Sequence, residues 1–280
     1  MNSSAAPFQE RLAVCTWSLQ PQSPADLVEK LRQIGVPRVQ LALDPIRENP
    51  STWSSVGQVL REAGFSIVSG MIGFVGEDYT TIETIHATGG VAPDETWNEN
   101  WENVPGSAAI AAQLGIRLVT FHAGFLPLDQ SDPAGTKMRH RLELIADVFA
   151  ARNIDVAFET GQETSAVLLS FLKQLGRANV GVNFDPANMI LYDKGNPIEA
   201  LRDLSGWLKQ VHIKDAIRTR NPGTWGEEVV AGSGEVPWRD FFATLRELKF
   251  TGHCCLEREA GTSRVADLLA AKQMVEKLGV

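Results

Sequence analysis

Four short apolar segments of this 280-residue chain end in residues that can bind a cation or carry a proton. They are Ala157-Phe158-Glu159, Asn183-Phe184-Asp185, Val211-His212-Ile213 and Leu256-Glu257. Side chains alternate across an extended strand, so the apolar neighbours Phe158, Phe184, Ile213 and Leu256 face one way and Glu159, Asp185, His212 and Glu257 the other. Three carboxylates and an imidazole gathered in a low-dielectric place repel one another unless a cation joins them. Three oxygens and one nitrogen suit one divalent ion, Mn²⁺ or Mg²⁺ first, with Co²⁺ or Zn²⁺ also allowed by ligand type. A lone Glu or Asp at a strand end usually caps the next helix or pairs with a nearby cation. Four such residues at consecutive strand ends favour the metal reading.

A repeating pattern must position them. Short apolar or β-branched runs alternate with longer stretches of helical period, the signature of βα units around a parallel sheet. Eight runs are expected as strands: Leu12 to Thr16, Arg38 to Leu43, Phe65 to Met71, Arg117 to His122, Asp155 to Glu159, Val180 to Asp185, Gln210 to Lys214 and Gly252 to Glu257. Helices are expected over Pro24 to Ile34, Pro133 to Arg152, Thr164 to Leu175, Trp238 to Leu248 and Ser263 to Leu278. Gly35, Gly64, Gly115 and Gly176 close helical stretches shortly before strands, while Ser23-Pro24 and Asp132-Pro133 read as an N-cap followed by proline.

Eight such units without a Pro/Gly/Ser-rich linker predict an α/β chain folded as a single-domain (β/α)8 TIM barrel, with residues 1–10 a flexible extension. Catalytic groups of such a barrel lie at the C-terminal ends of its strands, where the four candidates stand. The third unit is the least regular. Gly73 to Gly106 is Thr-rich and acidic and reads as a long loop over the barrel mouth that leads into a helix ending near Leu114, with Trp97 and Trp101 either lining a lid or anchoring helix three.

The motifs Phe158-Glu159-Thr160, Asn183-Phe184-Asp185-Pro186-Ala187-Asn188, Val211-His212-Ile213-Lys214-Asp215 and Leu256-Glu257-Arg258-Glu259 together resemble the xylose isomerase-like barrel family. That family holds sugar isomerases, ketose 3-epimerases, inosose dehydratases and apurinic endonucleases. The resemblance runs from about Leu12 onward and is most specific from Asp155 to Glu259; Gly232 to Trp238 also resembles the glycine loop placed before helix seven. It implies that Glu159, Asp185, His212 and Glu257 are metal ligands and that Glu159 and Glu257 double as an acid/base pair. A carboxylate beside a cation can take a proton from a carbon whose neighbouring hydroxyl and carbonyl oxygens chelate that cation, and the metal then stabilises the enediolate.

The activity implied is that of a metal-dependent isomerase or 3-epimerase of a ketose or related sugar, with a keto-inositol or keto-sugar dehydratase as the alternative. An apurinic endonuclease needs a multinuclear zinc cluster, for which five histidines with only His122 and His212 at strand ends are too few. A barrel that only binds sugar would need neither metal nor paired glutamates. Asn188 departs from the epimerase pattern, in which many members carry a second His touching the substrate oxygen. Asn donates the same hydrogen bond but cannot be charged.

Further residues are candidates for substrate contact. His122 has the inward parity of Thr120, and Lys214 that of His212, where it would hold a substrate oxyanion or pair with a ligand carboxylate. Arg218 matches a substrate-binding Arg of the epimerases loosely, with a solvated loop as the other reading. Trp17 would stack on a sugar face or be buried at the rim. His86 and His140 read as surface residues, and His253 and Cys255 as core.

Lys and Arg number 26 against 34 Asp and Glu, so 26 − 34 = −8. That balance repels phosphate backbones and acidic membrane surfaces, leaving a small sugar as the expected partner of a chain that is monomeric or homo-oligomeric. No apolar run is long enough to span a membrane, and Met1 to Glu10 lacks a basic or apolar signal region, so a cytoplasmic protein is expected. Cys15, Cys254 and Cys255 are an odd number and read as reduced thiols. No P-loop or GxGxxG follows a strand, so no nucleotide cofactor is expected.

Overall fold

Strand-forming runs end where helix caps begin, and the computed structural model, which describes residues 6–129, 132–221 and 223–280, shows what that punctuation builds. The strands are β1 (Leu12–Cys15), β2 (Arg38–Ala42), β3 (Ser66–Met71), β4 (Leu118–Phe121), β5 (Asp155–Glu159), β6 (Val180–Phe184), β7 (Leu208–Ile213), β8 (Asp215–Ile217), β9 (Glu227–Val229) and β10 (Cys254–Leu256). Eight of them close into a barrel in the order β1-β10-β7-β6-β5-β4-β3-β2, and β8 and β9 pair as a separate antiparallel ribbon. The barrel pairs are parallel, which places every strand's C-terminal end at one mouth.

Local chemistry sets the helix ends. The Ser23 hydroxyl accepts from Asp26 N at 3.2 Å and starts the Pro24–Ile34 helix, and Gly35 closes it in the left-handed region at φ 70°. The Asp132 carboxylate caps the Pro133–Ala150 helix by accepting from Gly135 N at 2.6 Å. Outward-facing strand residues pack on these helices: Phe184 on β6 stacks on Phe241 of the Trp238–Glu247 helix with ring centroids 6.2 Å apart. Phe158, Ile213 and Leu256 are buried in the same apolar layer, so the alternation read from the sequence holds at all four strands that carry the candidate residues.

Two sequence expectations are corrected and one element is new. Gly73 to Gly106 is not one long loop, because the Ile82–Thr88 and Asp94–Gln113 helices fill most of it. Pro105 inside the second of these removes an amide donor, and packing of buried Val104, Ala108 and Ala111 compensates. Trp97 and Trp101 stack at 5.9 Å, and the Arg141 guanidinium lies 4.6 Å from the Trp97 ring while donating to the Val91 and Ala92 carbonyls, so both tryptophans anchor helix to helix. At the opposite end, Phe8–Arg11 is a 3-10 helix rather than part of a flexible extension; Phe8 is buried against Phe242 and Arg11 donates to the Phe250 and Gly252 carbonyls. Residues 1–5 of the expected extension lie outside the described residues. Last, the sequence reading contains no counterpart of the β8–β9 ribbon.

Candidate active site

The barrel mouth is where β5, β6, β7 and β10 end, and each delivers one polar side chain to a common point. His212 Nδ1 lies 3.1 Å from Glu257 Oε2, 3.4 Å from Glu159 Oε1 and 3.6 Å from Asp185 Oδ2. All four residues are buried, and one candidate ligand atom from each lies within 4.8 Å of all the others.

Asp185 caps a helix with one oxygen and leaves the other free for a cation. Its Oδ1 accepts from Ala187 N and Asn188 N at 2.8 and 3.0 Å, starting the Pro186–Leu191 helix, while the buried Oδ2 has no hydrogen-bond partner. A buried acceptor oxygen without a donor is costly, and this one stands 3.6 Å from His212 Nδ1 and 3.9 Å from Lys214 Nζ, beyond hydrogen-bond reach of both. Burial alone would lower the His212 pKa, but the charges of Glu257 and Glu159 outweigh it and raise it well above its ordinary value. Burial likewise works to raise the Glu159 carboxyl, and His122, His212 and Lys214 together hold it below the usual carboxylate range. A cluster that draws positive charge this strongly, with hard oxygen donors and one imidazole, fits a divalent cation held by Glu159, Asp185, His212 and Glu257.

The side chains around the cluster fix its orientation. Asn188 Nδ2 donates to Glu159 Oε1 at 3.0 Å, and His122 Nε2 stands 3.7 Å from the same oxygen. Gly161 permits the Asn188 contact: at φ +134° it lies so close that a Cβ there would stand 2.3 Å from Asn188 Cβ. Trp17 Nε1 donates to Glu257 Oε1 at 2.9 Å, and Lys214 Nζ lies 3.2 Å from Glu257 Oε2. Lys214 also pairs with Glu259 and lies 3.9 Å from Asp185 Oδ2. The structure therefore brings Trp17, His122, Asn188 and Lys214 to the four-residue cluster. Arg218 stands apart, because Asp193 and the Gly195 carbonyl hold its guanidinium outside the cavity above the cluster.

A layer of neutral polar groups beneath the cluster is absent from the sequence reading. His212 Nε2 lies 2.9 Å from Gln40 Oε1, which also accepts from Gln210 Nε2 at 2.8 Å. Gln40 donates onward to Thr120 Oγ1 at 2.8 Å, and Gln210 accepts from Ser69 at 2.6 Å. With Nδ1 turned to the carboxylates, the proton of a neutral His212 belongs on Nε2, where Gln40 accepts it. The available signal was a polar residue at inward parity within an apolar run, as in Val39-Gln40-Leu41.

Above the cluster opens a cavity of about 320 Å³ whose wall includes Tyr79, Tyr192, Trp225 and Glu259. These come from loops and from the helix after β6, where no strand parity announces them. Asp215, just past Lys214, accepts from Gly232 N, Gly234 N, Val236 N and Trp238 Nε1, tying the glycine loop down beside the β8–β9 ribbon.

A family profile described as "Xylose isomerase-like TIM barrel" matches residues 28–278. The chain belongs to that family. Among solved structures, this xylose isomerase-like barrel superposes with a TM-score of 0.84 on a xylose isomerase domain protein from Planctomyces limnophilus, at 31% identity over 90% of this chain and 91% of that one. It superposes at 0.68 on a D-psicose 3-epimerase with D-tagatose from Clostridium cellulolyticum H10, where 16% identity over 95% of this chain and 97% of the other shows a common fold. A curated relative, the uncharacterized protein YihM of Escherichia coli K12, is 36% identical over 79 residues, or 28% of this chain. The match spans about a quarter of that relative's length, 24%. Among the described residues no helix is long and apolar enough to cross a membrane.

Proposed function

We propose that this barrel is a divalent-cation-dependent sugar isomerase or epimerase that moves a proton at the carbon beside the carbonyl of a ketose. One observation carries the reading: two glutamates from β5 and the end of β10 flank His212 Nδ1 at 3.4 and 3.1 Å, with the unpartnered Asp185 Oδ2 beside them. Mn²⁺ or Mg²⁺ held by those four residues would supply Lewis-acid polarisation of the substrate's carbonyl and offset the negative charge of its enediolate.

The protein's own groups do the rest. β6 and β7 separate the two glutamate-bearing strands around the barrel, so Glu159 and Glu257 address a substrate between them from two sides. One takes the proton from carbon and the other returns one to the opposite face, which permits inversion. Asn188 and His122 hold Glu159, and Trp17 and Lys214 hold Glu257, so each carboxylate is oriented before substrate arrives. His122 Nδ1 is buried without a partner and its residue lines the cavity, which equips it to meet a substrate oxygen. Tyr79, Tyr192 and Trp225 exclude water from the reacting carbon and offer faces for a sugar ring.

The test is proton NMR in D₂O with the metal-supplemented protein and a set of ketoses and keto-inositols. A substrate should lose one carbon-bound proton signal as its epimer or isomer appears. Glu159→Gln and Glu257→Gln should each slow turnover at least about a hundredfold. Turnover without carbon-bound exchange, or Gln variants as fast as the parent, would overturn the reading.

A further inference from the structure

The charges around the catalytic cavity say what kind of sugar it accepts. Lys214 is the only lysine or arginine among the described residues lining the cavity, and it is not free to bind an anion. Its side chain is 3% exposed, and its ammonium group spends its bonds on Glu259, which faces the same cavity, and on Glu257. Arg258, next in the chain, is taken up by Glu228 at 2.9 Å and Asp267 at 3.0 Å. Arg218 is held away by Asp193. Glu228, the other carboxylate of the cavity wall, is matched by Arg258, so the carboxylates of Glu159, Asp185, Glu257 and Glu259 stand against one lysine, and a divalent cation still leaves the site one charge negative.

Glu259 is the member of this set with freedom to be something else. Its side chain is 49% exposed, whereas those of the metal-ligand candidates are 1% exposed or less. A carboxylate placed there satisfies Lys214 and puts negative charge where a substrate's distal end would lie. A phosphate or carboxylate group at the outer part of the cavity meets repulsion from Glu259 and no unpaired side-chain cation. A hydroxyl-rich neutral body meets amide, imidazole and aromatic groups that bind it without charge.

We propose that Glu259 is a charge filter: by neutralising Lys214 it restricts the cavity to uncharged keto-polyols and turns away their phosphorylated and carboxylated counterparts. The inference deepens the isomerase reading and rests on it for the substrate's sugar character. The charge argument itself concerns anion binding and is tested without turnover.

Inorganic phosphate is the probe, titrated by calorimetry at fixed ionic strength into the Mg²⁺-supplemented protein and into Glu259→Gln and Glu259→Arg variants. The phosphate dissociation constant should fall at least about tenfold from parent to Glu259→Gln and further in Glu259→Arg. Adding Lys214→Met to Glu259→Gln should erase the gain. Unchanged phosphate affinity in both single variants, or a gain that survives Lys214→Met, would overturn the proposal. Exchange in D₂O on neutral ketoses reads the isomerase reading separately: exchange without the phosphate gain defeats the filter alone, and the gain without exchange from any ketose defeats the isomerase assignment alone.

Discussion

The two halves of the barrel are built for different work. β5, β6, β7 and β10 carry the four candidate ligands Glu159, Asp185, His212 and Glu257 at or just past their C-terminal ends, whereas β1 to β4 and the residues just after them present Gln40, Ser69 and Thr120 below and Trp17 and His122 above. One half concentrates negative charge; the other offers hydrogen bonds from neutral groups that orient it. The difference teaches that ligand type is set on one side while ligand geometry is set from both, with Asn188 and Lys214 holding the glutamates from the acidic side and His122 and Trp17 from the other. Gln40 on β2 reaches His212 on β7 across the barrel interior, and Trp17 after β1 reaches Glu257 after β10.

The contrast is broken most severely by removing a ligand. Asp185→Ala takes away the unpartnered Oδ2 together with the helix cap, and should abolish stoichiometric metal in elemental analysis and turnover with it. The lost cap should also lower stability by about 0.5–2 kcal/mol, read in urea titrations. Bound metal equal to the parent's would remove Asp185 from the ligand set.

A change on the neutral half should act on the same metal more gently. Gln40→Leu removes the acceptor for His212 Nε2 and leaves Gln210 and Thr120 short of a partner, so metal affinity should fall about 10–100-fold. Competition with a chromogenic chelator measures it, and an unchanged affinity would confine control of the site to the ligand half. Trp17→Phe keeps an aromatic wall but deletes the donor to Glu257 Oε1, so turnover should fall about tenfold while metal content stays equimolar.

The smallest effect concerns charge in the ligand half that lies outside the cluster. Burial pushes the Glu163 carboxyl, four residues past Glu159, up to about 8, with Lys194 pulling the other way. A folded-state value above the ordinary 4.5 means that the folded protein holds the proton more tightly than the unfolded chain. The stabilisation is therefore complete below about pH 4.5 and is lost as pH rises toward 8. Between pH 5 and 9 the parent should lose more Tm than Glu163→Gln. Parallel pH profiles would show that Glu163 carries no such burden.

The ligand half was also the legible half. Strand-end carboxylates after apolar residues announce themselves, and β5 was read to its observed limits because Asp155 and Glu159 bracket a short apolar run. Gln40 and Gln210 were passed over because a single amide inside a strand carries no charge to explain. The first half of the Asp94–Gln113 helix reads as loop because Pro105 and its polar residues blur the apolar period, whereas the end of the helix near Leu114 is legible. Tyr79, Tyr192, Trp225 and the filter residue Glu259 gather from four separate segments, so their meeting depends on closure of the fold rather than on any local pattern.

The central claim is that one divalent cation sits where β5, β6, β7 and β10 converge. Crystals grown with Mn²⁺ and measured on the high-energy side of the manganese absorption edge test it directly. The account predicts one anomalous peak per chain, about 2.0–2.4 Å from oxygens of Glu159, Asp185 and Glu257 and from His212 Nδ1. A peak ligated by other residues, or none at this cluster in Mn²⁺-saturated crystals, would contradict it.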